Sequence, residues 1–200
     1  MLGVLLSVLA ACGSSDEEPA APDSGTDSAK TFFGPEGMAV QEGRPLAAPS
    51  TTRMPIGEFA CSRPDLTFHA HAHLAVYVDG KLRPVPSTIG TFEPVIEDTR
   101  TGPLVKDADC FYNLHTHAQD GVIHFEAPQP TEFTLGQFFT IWGQPLSGTQ
   151  VGRFRGQVTA YVDGQVRPGD PSTIVLTEKE TIQLDVGEDV PPAPVDWSHF

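Results

Sequence analysis

Positive charge is scarce in this chain: 12 Lys and Arg stand against 26 Asp and Glu, for a formal net charge of −14 at pH 7. The few basic residues are scattered, so nothing draws the chain electrostatically to nucleic acid or to an anionic membrane surface, and a cation is the better-matched partner. Methionine is missing between residues 58 and 200, which argues against thioether ligation of Cu(I). Cysteine occurs only at positions 12, 61 and 110, too few for a disulfide-dense scaffold, so each needs its own explanation. The apolar run from Met1 to Ala11 is too short to span a bilayer as a helix. With 39% hydrophobic residues, the C-terminal 140 or so can still bury one ordinary core.

The start of the chain has a recognisable pattern. Leu9-Ala10-Ala11-Cys12 resembles the lipobox of bacterial lipoproteins, although no Lys or Arg precedes the apolar run. The resemblance implies a signal peptide over 1–11 and an acylated Cys12 that anchors the chain in the lipid bilayer, on the extracytoplasmic face of the cell envelope. Residues 12–57 are rich in Pro, Ser, Ala and acidic side chains and read as a tether. Residues 58–200 read as one domain. With Cys12 set aside in an oxidising compartment, Cys61 and Cys110 are expected to pair, fastening two histidine-bearing strands side by side.

Strict alternation from Asp65 to Gly80 predicts a long strand. Phe68, Ala70, Ala72, Leu74, Val76 and Val78 face one way; His69, His71, His73 and Tyr77 face the other. Ala75 to Pro84 then recurs in recognisable form as Thr159 to Pro168, each copy centred on Tyr-Val-Asp-Gly, and Pro86-Ser87-Thr88-Ile89 recurs as Pro171-Ser172-Thr173-Ile174. Two related hairpin halves follow, by duplication or by convergence on the same turn chemistry. Aligned on the tyrosines, His69, His71 and His73 match Arg153, Arg155 and Gln157, so the first half carries imidazoles that the second does without. Between the halves, Thr134 is placed to cap a short helix whose stripe is Leu135, Phe138, Phe139 and Trp142, with Gly143 ending it. The fold class is mainly β, β-sandwich-like or α+β, with antiparallel hairpins in two related halves and one short helix.

Chemistry concentrates between residues 69 and 126. Asp120-Gly121 predicts a two-residue type I′ hairpin, which would pair His117 with His124 and His115 with Glu126. Side chains two apart on a strand share a face, so His115, His117, His124 and Glu126 would project together. Neutral imidazole is the commonest protein metal ligand, and a carboxylate completes many mixed sites. Because His69 and His73 would be roughly 13 Å apart at Cα, two of the three strand histidines are expected to join the hairpin ligands, or two ions to bind. The ion is a divalent transition metal, copper or zinc ahead of iron or manganese. Binding, for capture, buffering or handover, leads over catalysis, in which Glu126 would be ligand or general base. A second alternative is a cupredoxin-like copper centre, since Cys110, His115 and Gln119 resemble that ligand order; it requires Cys110 as a free thiolate. The combined motifs around His71–Gly80, Cys110–Glu126 and Thr134–Leu146 resemble a family of bacterial secreted or membrane-anchored proteins over about residues 60–190, a likeness that implies one domain and names no reaction.

Overall fold

Eleven residues of alternating character, Phe68–Val78, form β1, the strand around which the sheet is assembled. The computed structural model describes residues 38–198 and Phe200, with Glu42, Pro64, Asp65 and Thr101 excepted. Cys12 and the run before it, and the seventh histidine, His199, lie outside the described residues. The strands after β1 are β2 (Lys81–Leu82), β3 (Thr91–Thr99), β4 (Gly102–Phe111), β5 (Leu114–His115) and β6 (Val122–Ala127). Helix α1 (Leu135–Trp142) is followed by β7 (Leu146–Ser147), β8 (Gln150–Val151), β9 (Phe154–Arg155), β10 (Val158–Val162), β11 (Gln165–Val166) and β12 (Glu180–Val186). Among the described residues the fold is mainly β with one α-helix, an α+β arrangement in which every strand pair but one is antiparallel.

The main sheet runs β11-β10-β12-β1-β6-β5, with β2 paired to the end of β1. The exception is β1 with β12, which run parallel from Ala72↔Glu180 to Val78↔Val186. Both predicted repeat hairpins flank β12, and both close through type I′ turns. Asp79 and Gly80 have φ of 49° and 72°, and Asp163 and Gly164 have 48° and 75°, the double positive φ that this turn demands. The repeat ends where the histidines begin. Arg153 and Arg155 do not extend β10 but lie on and beside β9, in a separate three-stranded sheet of β7, β8 and β9, whereas Gln157 directly precedes β10 and its carbonyl accepts from Gly187 N–H next to the β10–β12 pairing. Arg153 and Arg155 are therefore no structural counterparts of His69 and His71.

One face of β1 carries Ala70, Ala72, Leu74, Val76 and Val78 into the core with Ile123, Phe125, Ile182 and Leu184. Helix α1 adds Leu135, Phe138, Phe139, Ile141 and Trp142 to the same cluster. Its limits are those the residue types dictate: a capping box joins Thr134 and Gln137, and Gly143 ends the helix at φ 73°. The described residues from Met38 to Gly57 belong to this body. Irregular backbone from Met38 packs onto it, Met38 and Leu46 are buried, and Trp142 Nε1 donates to the Ala47 carbonyl at 2.9 Å. The Gln41 amide donates to the Leu74 carbonyl at 2.8 Å and accepts from Val85 N–H at 3.0 Å. Over the opposite face of the sheet lies the C-terminal segment: Val190 N–H donates to Asp185 Oδ2 and Ala193 N–H to Gln183 Oε1.

The predicted Asp120-Gly121 hairpin takes another form. β5 and β6 pair as Leu114↔Phe125 and His115↔His124, two positions from the expected register, and residues 116–121 form the connection. Only Gly121, at φ 84°, has the left-handed backbone. The cause is that this connection spends its hydrogen bonds elsewhere. Thr116 N–H donates to the Ile89 carbonyl, Val105 N–H to the His117 carbonyl and Leu74 N–H to the Gly121 carbonyl. Asp120 Oδ1 accepts from Val122 N–H, an Asx turn that replaces the two-residue loop. Because the shift is even, His115, His124 and Glu126 stay on one face.

Candidate metal centre

Three neighbouring strands bring the ligands together. β6 lies between β1 and β5, with His71↔His124 paired on one side and His115↔His124 on the other. One row of imidazoles, His71–His124–His115, therefore crosses the sheet. His69 pairs with Glu126 in the adjoining row. His117, beyond the end of β5, is carried back over the cluster by the 116–121 connection, its ring centroid 4.6 Å from that of His124. Two groups of three imidazoles emerge, His69/His71/His124 and His115/His117/His124, each with its donor atoms within 4.8 Å of one another.

In the first group His69 Nε2 is the hub. It lies 2.9 Å from His71 Nε2, 3.1 Å from His124 Nδ1 and 3.1 Å from Glu126 Oε1. Tetrahedral zinc at about 2.0–2.1 Å from its ligands has donor–donor edges of about 3.3 Å, so these separations are close to those of a ligand shell. Burial raises the Glu126 carboxyl above its usual range, opposed by His69. A bound cation would favour its ionised form.

The second group is held from behind. His115 Nδ1 lies 3.0 Å from the Tyr112 carbonyl and His117 Nδ1 2.6 Å from the Val105 carbonyl. A carbonyl only accepts, so both Nδ1 atoms carry hydrogen, and a ring with no second proton presents a bare Nε2 lone pair. Those two Nε2 atoms face each other at 3.1 Å. Two lone pairs do not bond; a proton or a metal cation between them must reconcile them. Protonation of His115 is opposed by burial and by His124 and His117 nearby, which hold its pKa well below the ordinary value. Burial and the imidazoles of His117, His71 and His69 do the same to His124. A backbone carbonyl fixing the rear nitrogen is the usual second partner of a metal-bound histidine.

Not every predicted ligand joins. His73 shares the face of His69 and His71 but lies under the 38–41 segment and the C-terminal strap, bonded to the Asp120 backbone, and is in neither group. Burial lowers its pKa to about 4. Cys61 and Cys110 form the expected disulfide, with Cα atoms 5.4 Å apart. The bridge does not join two histidine strands; it fastens the segment before β1 to the end of β4, where Ser62 and Phe111 exchange backbone hydrogen bonds. With its sulfur in that bridge, Cys110 is no thiolate ligand, which removes the cupredoxin-like alternative.

Several contributors gave no sequence signal. Glu178 Oε2 accepts the His71 backbone N–H at 2.8 Å, a contact made by the long-range parallel pairing of β1 and β12. Phe111 packs against the rings of His115 and His117 at 4.8 and 5.6 Å, and Phe200 against His71 at 4.5 Å. A cleft of about 280 Å³ opens beside His115, His117 and Glu126, walled in part by Arg63, Lys106 and Phe111. The chain matches no protein-family model, no curated protein and no solved structure.

Proposed function

We propose that this is a transition-metal-binding protein of the cell envelope, anchored through an acylated Cys12, whose His/Glu cluster takes up copper or zinc for capture, buffering or delivery. The observation that carries the reading is the opposition of the His115 and His117 Nε2 lone pairs at 3.1 Å, with both Nδ1 atoms committed to carbonyls. Nitrogen-rich ligation with one carboxylate suits divalent copper or zinc, with iron or manganese as weaker candidates.

A second reading, a metal-dependent enzyme, draws support from the cleft beside His115, His117 and Glu126, since a catalytic ion keeps an open position. The deciding experiment is elemental mass spectrometry on the untagged, oxidised chain, beside a His115→Ala/His117→Ala double variant. Near-stoichiometric metal lost in the variant supports the reading. Failure to retain metal, or to take it up at micromolar concentration, overturns both readings.

A further inference from the structure

His115 and His117 rest their rear nitrogens on backbone carbonyls; His71 meets a carboxylate. Glu178 Oε2 lies 3.8 Å from His71 Nδ1, and the same oxygen accepts the His71 backbone N–H at 2.8 Å. The other ring nitrogen, Nε2, lies 2.9 Å from His69 Nε2, inside the first imidazole group. The His71 ring therefore stands between a carboxylate and the cluster. The turn that carries Glu178 is fixed from several sides. Glu180 N–H donates to the Thr177 carbonyl at 3.2 Å, closing the turn, and Lys179 N–H donates to the His71 carbonyl at 2.6 Å. Lys179 holds φ 59°, a left-handed conformation that is costly for a residue with a Cβ and persists where surrounding bonds impose it. Residues 178 and 179 thus grip both backbone polar groups of His71, and the grip sets the carboxylate beside its ring.

We propose that Glu178 is a positioning residue of the metal centre: its carboxylate faces the Nδ1 side of His71, so that Nε2 is the nitrogen presented to the ion beside His69. This rests on the metal-binding reading and adds the residue that orients one of its ligands. Glu178 touches no ion and acts through the ring. At 3.8 Å the contact is longer than a hydrogen bond. A cation on Nε2 polarises the Nδ1–H bond and draws the carboxylate in, and the carboxylate in turn makes Nε2 the better donor to the ion.

The test uses Zn(II) as the probe, its Kd on the metal-free, untagged full chain read by competition with a chromophoric chelator. Glu178→Gln keeps an oxygen for the His71 backbone N–H and loses the charge, so the turn is retained; circular dichroism verifies the fold. Its zinc affinity should fall roughly tenfold. In a His71→Ala background the same substitution should change nothing further, because the ring through which Glu178 acts is gone. A second readout needs no variant of Glu178. In the zinc-loaded unaltered chain, nitrogen–proton correlation spectra of the imidazoles, with His71 assigned by its loss in His71→Ala, should place its proton on Nδ1. An affinity untouched by Glu178→Gln, an equal fall in both backgrounds (the plain effect of removing a negative charge near a cation), or a His71 proton on Nε2 would overturn the positioning role and leave metal binding intact. An unaltered chain that takes up no zinc at micromolar concentration would overturn the metal-binding reading itself.

Discussion

His115 and His117 aim their Nε2 atoms at one another across 3.1 Å while each Nδ1 donates to a backbone carbonyl. With neither a proton nor a metal ion between them this is a repulsive arrangement, held in place because both rings are fixed from behind. Its consequence for stability is unusual: removing one ring removes a repulsion as well as contacts.

His117→Ala is therefore expected to change the stability of the metal-free protein by no more than about 1 kcal/mol, the value of the lost hydrogen bond to Val105 being partly offset. The same variant should lose most of the gain that zinc confers. For the unaltered chain that gain is about 2.7 kcal/mol at a free zinc concentration 100 times Kd. Urea denaturation with and without zinc gives both numbers. An undiminished zinc effect in the variant would remove His117 from the site.

Met38, Gln41 and Leu46 are buried against a domain whose sequence-predicted boundary lay at residue 58. Burying a side chain such as Met or Leu is worth about 1.5–3 kcal/mol, less the entropy of ordering the segment that carries it. A chain beginning at residue 58 should therefore be less stable than one beginning at Met38 by about 2 kcal/mol or more. Gln41 also bridges Leu74 to Val85, so the shortened chain leaves the Leu74 carbonyl and Val85 N–H without their side-chain partner. Equal denaturation midpoints for the two chains would show that the segment only lies along the surface.

The Cys61–Cys110 bridge closes a loop with a sequence separation of 49, for which chain entropy predicts about 4 kcal/mol of stabilisation as an upper figure. Its effect should reach the metal site. Phe111, next to Cys110, walls the His115 and His117 rings, and Ser62, next to Cys61, holds Phe111 through two backbone bonds. Cys61→Ser/Cys110→Ser should lower both the denaturation midpoint and the metal affinity, whereas His117→Ala lowers the affinity alone. Unchanged metal affinity in the double serine variant would separate the bridge from the site.

Local patterns in the chain were legible and long-range ones were not. The alternation in β1 places every side chain from Phe68 to Val78 on its observed face, and the Thr134 cap, aromatic stripe and Gly143 stop describe α1 as it stands. Asp79-Gly80 and Asp163-Gly164 turn as their dipeptides require, and the bonds that Asp79 N–H makes to the Val186 carbonyl and Asp163 N–H to the Thr181 carbonyl leave that geometry intact. Asp120-Gly121 has the same composition and turns differently. Its neighbours are drawn into bonds with Ile89, Val105 and Leu74, which only the folded chain brings near. An even register shift preserved the facing of His115, His124 and Glu126, so six of the seven expected ligands converge despite the wrong pairing. His73 was misplaced for a related reason. Alternation assigns a face, and the covering of that face by residues 38–41 and 193–196 has no periodic signature.

The fate of His73 leads to a pH dependence with a definite sign. Burial lowers its pKa from 6.5 to about 4, while its ring bonds the backbone of Asp120. Between those values the unfolded chain binds a proton that the folded chain refuses, so stability falls as pH is lowered through that window and is restored as pH rises above it. At 1.36 kcal/mol per pH unit the shift corresponds to about 3 kcal/mol lost by the time the pH reaches 4. His115 and His124, also lowered by burial, add to the loss in the same direction. The contribution of His73 must therefore be read as a difference. In metal-free protein, His73→Gln should flatten the fall in urea midpoint between pH 7 and pH 4 without abolishing it. Parallel curves for the two proteins would mean that His73 gains its proton in the folded state, and that the strap of residues 193–196 admits water to the ring.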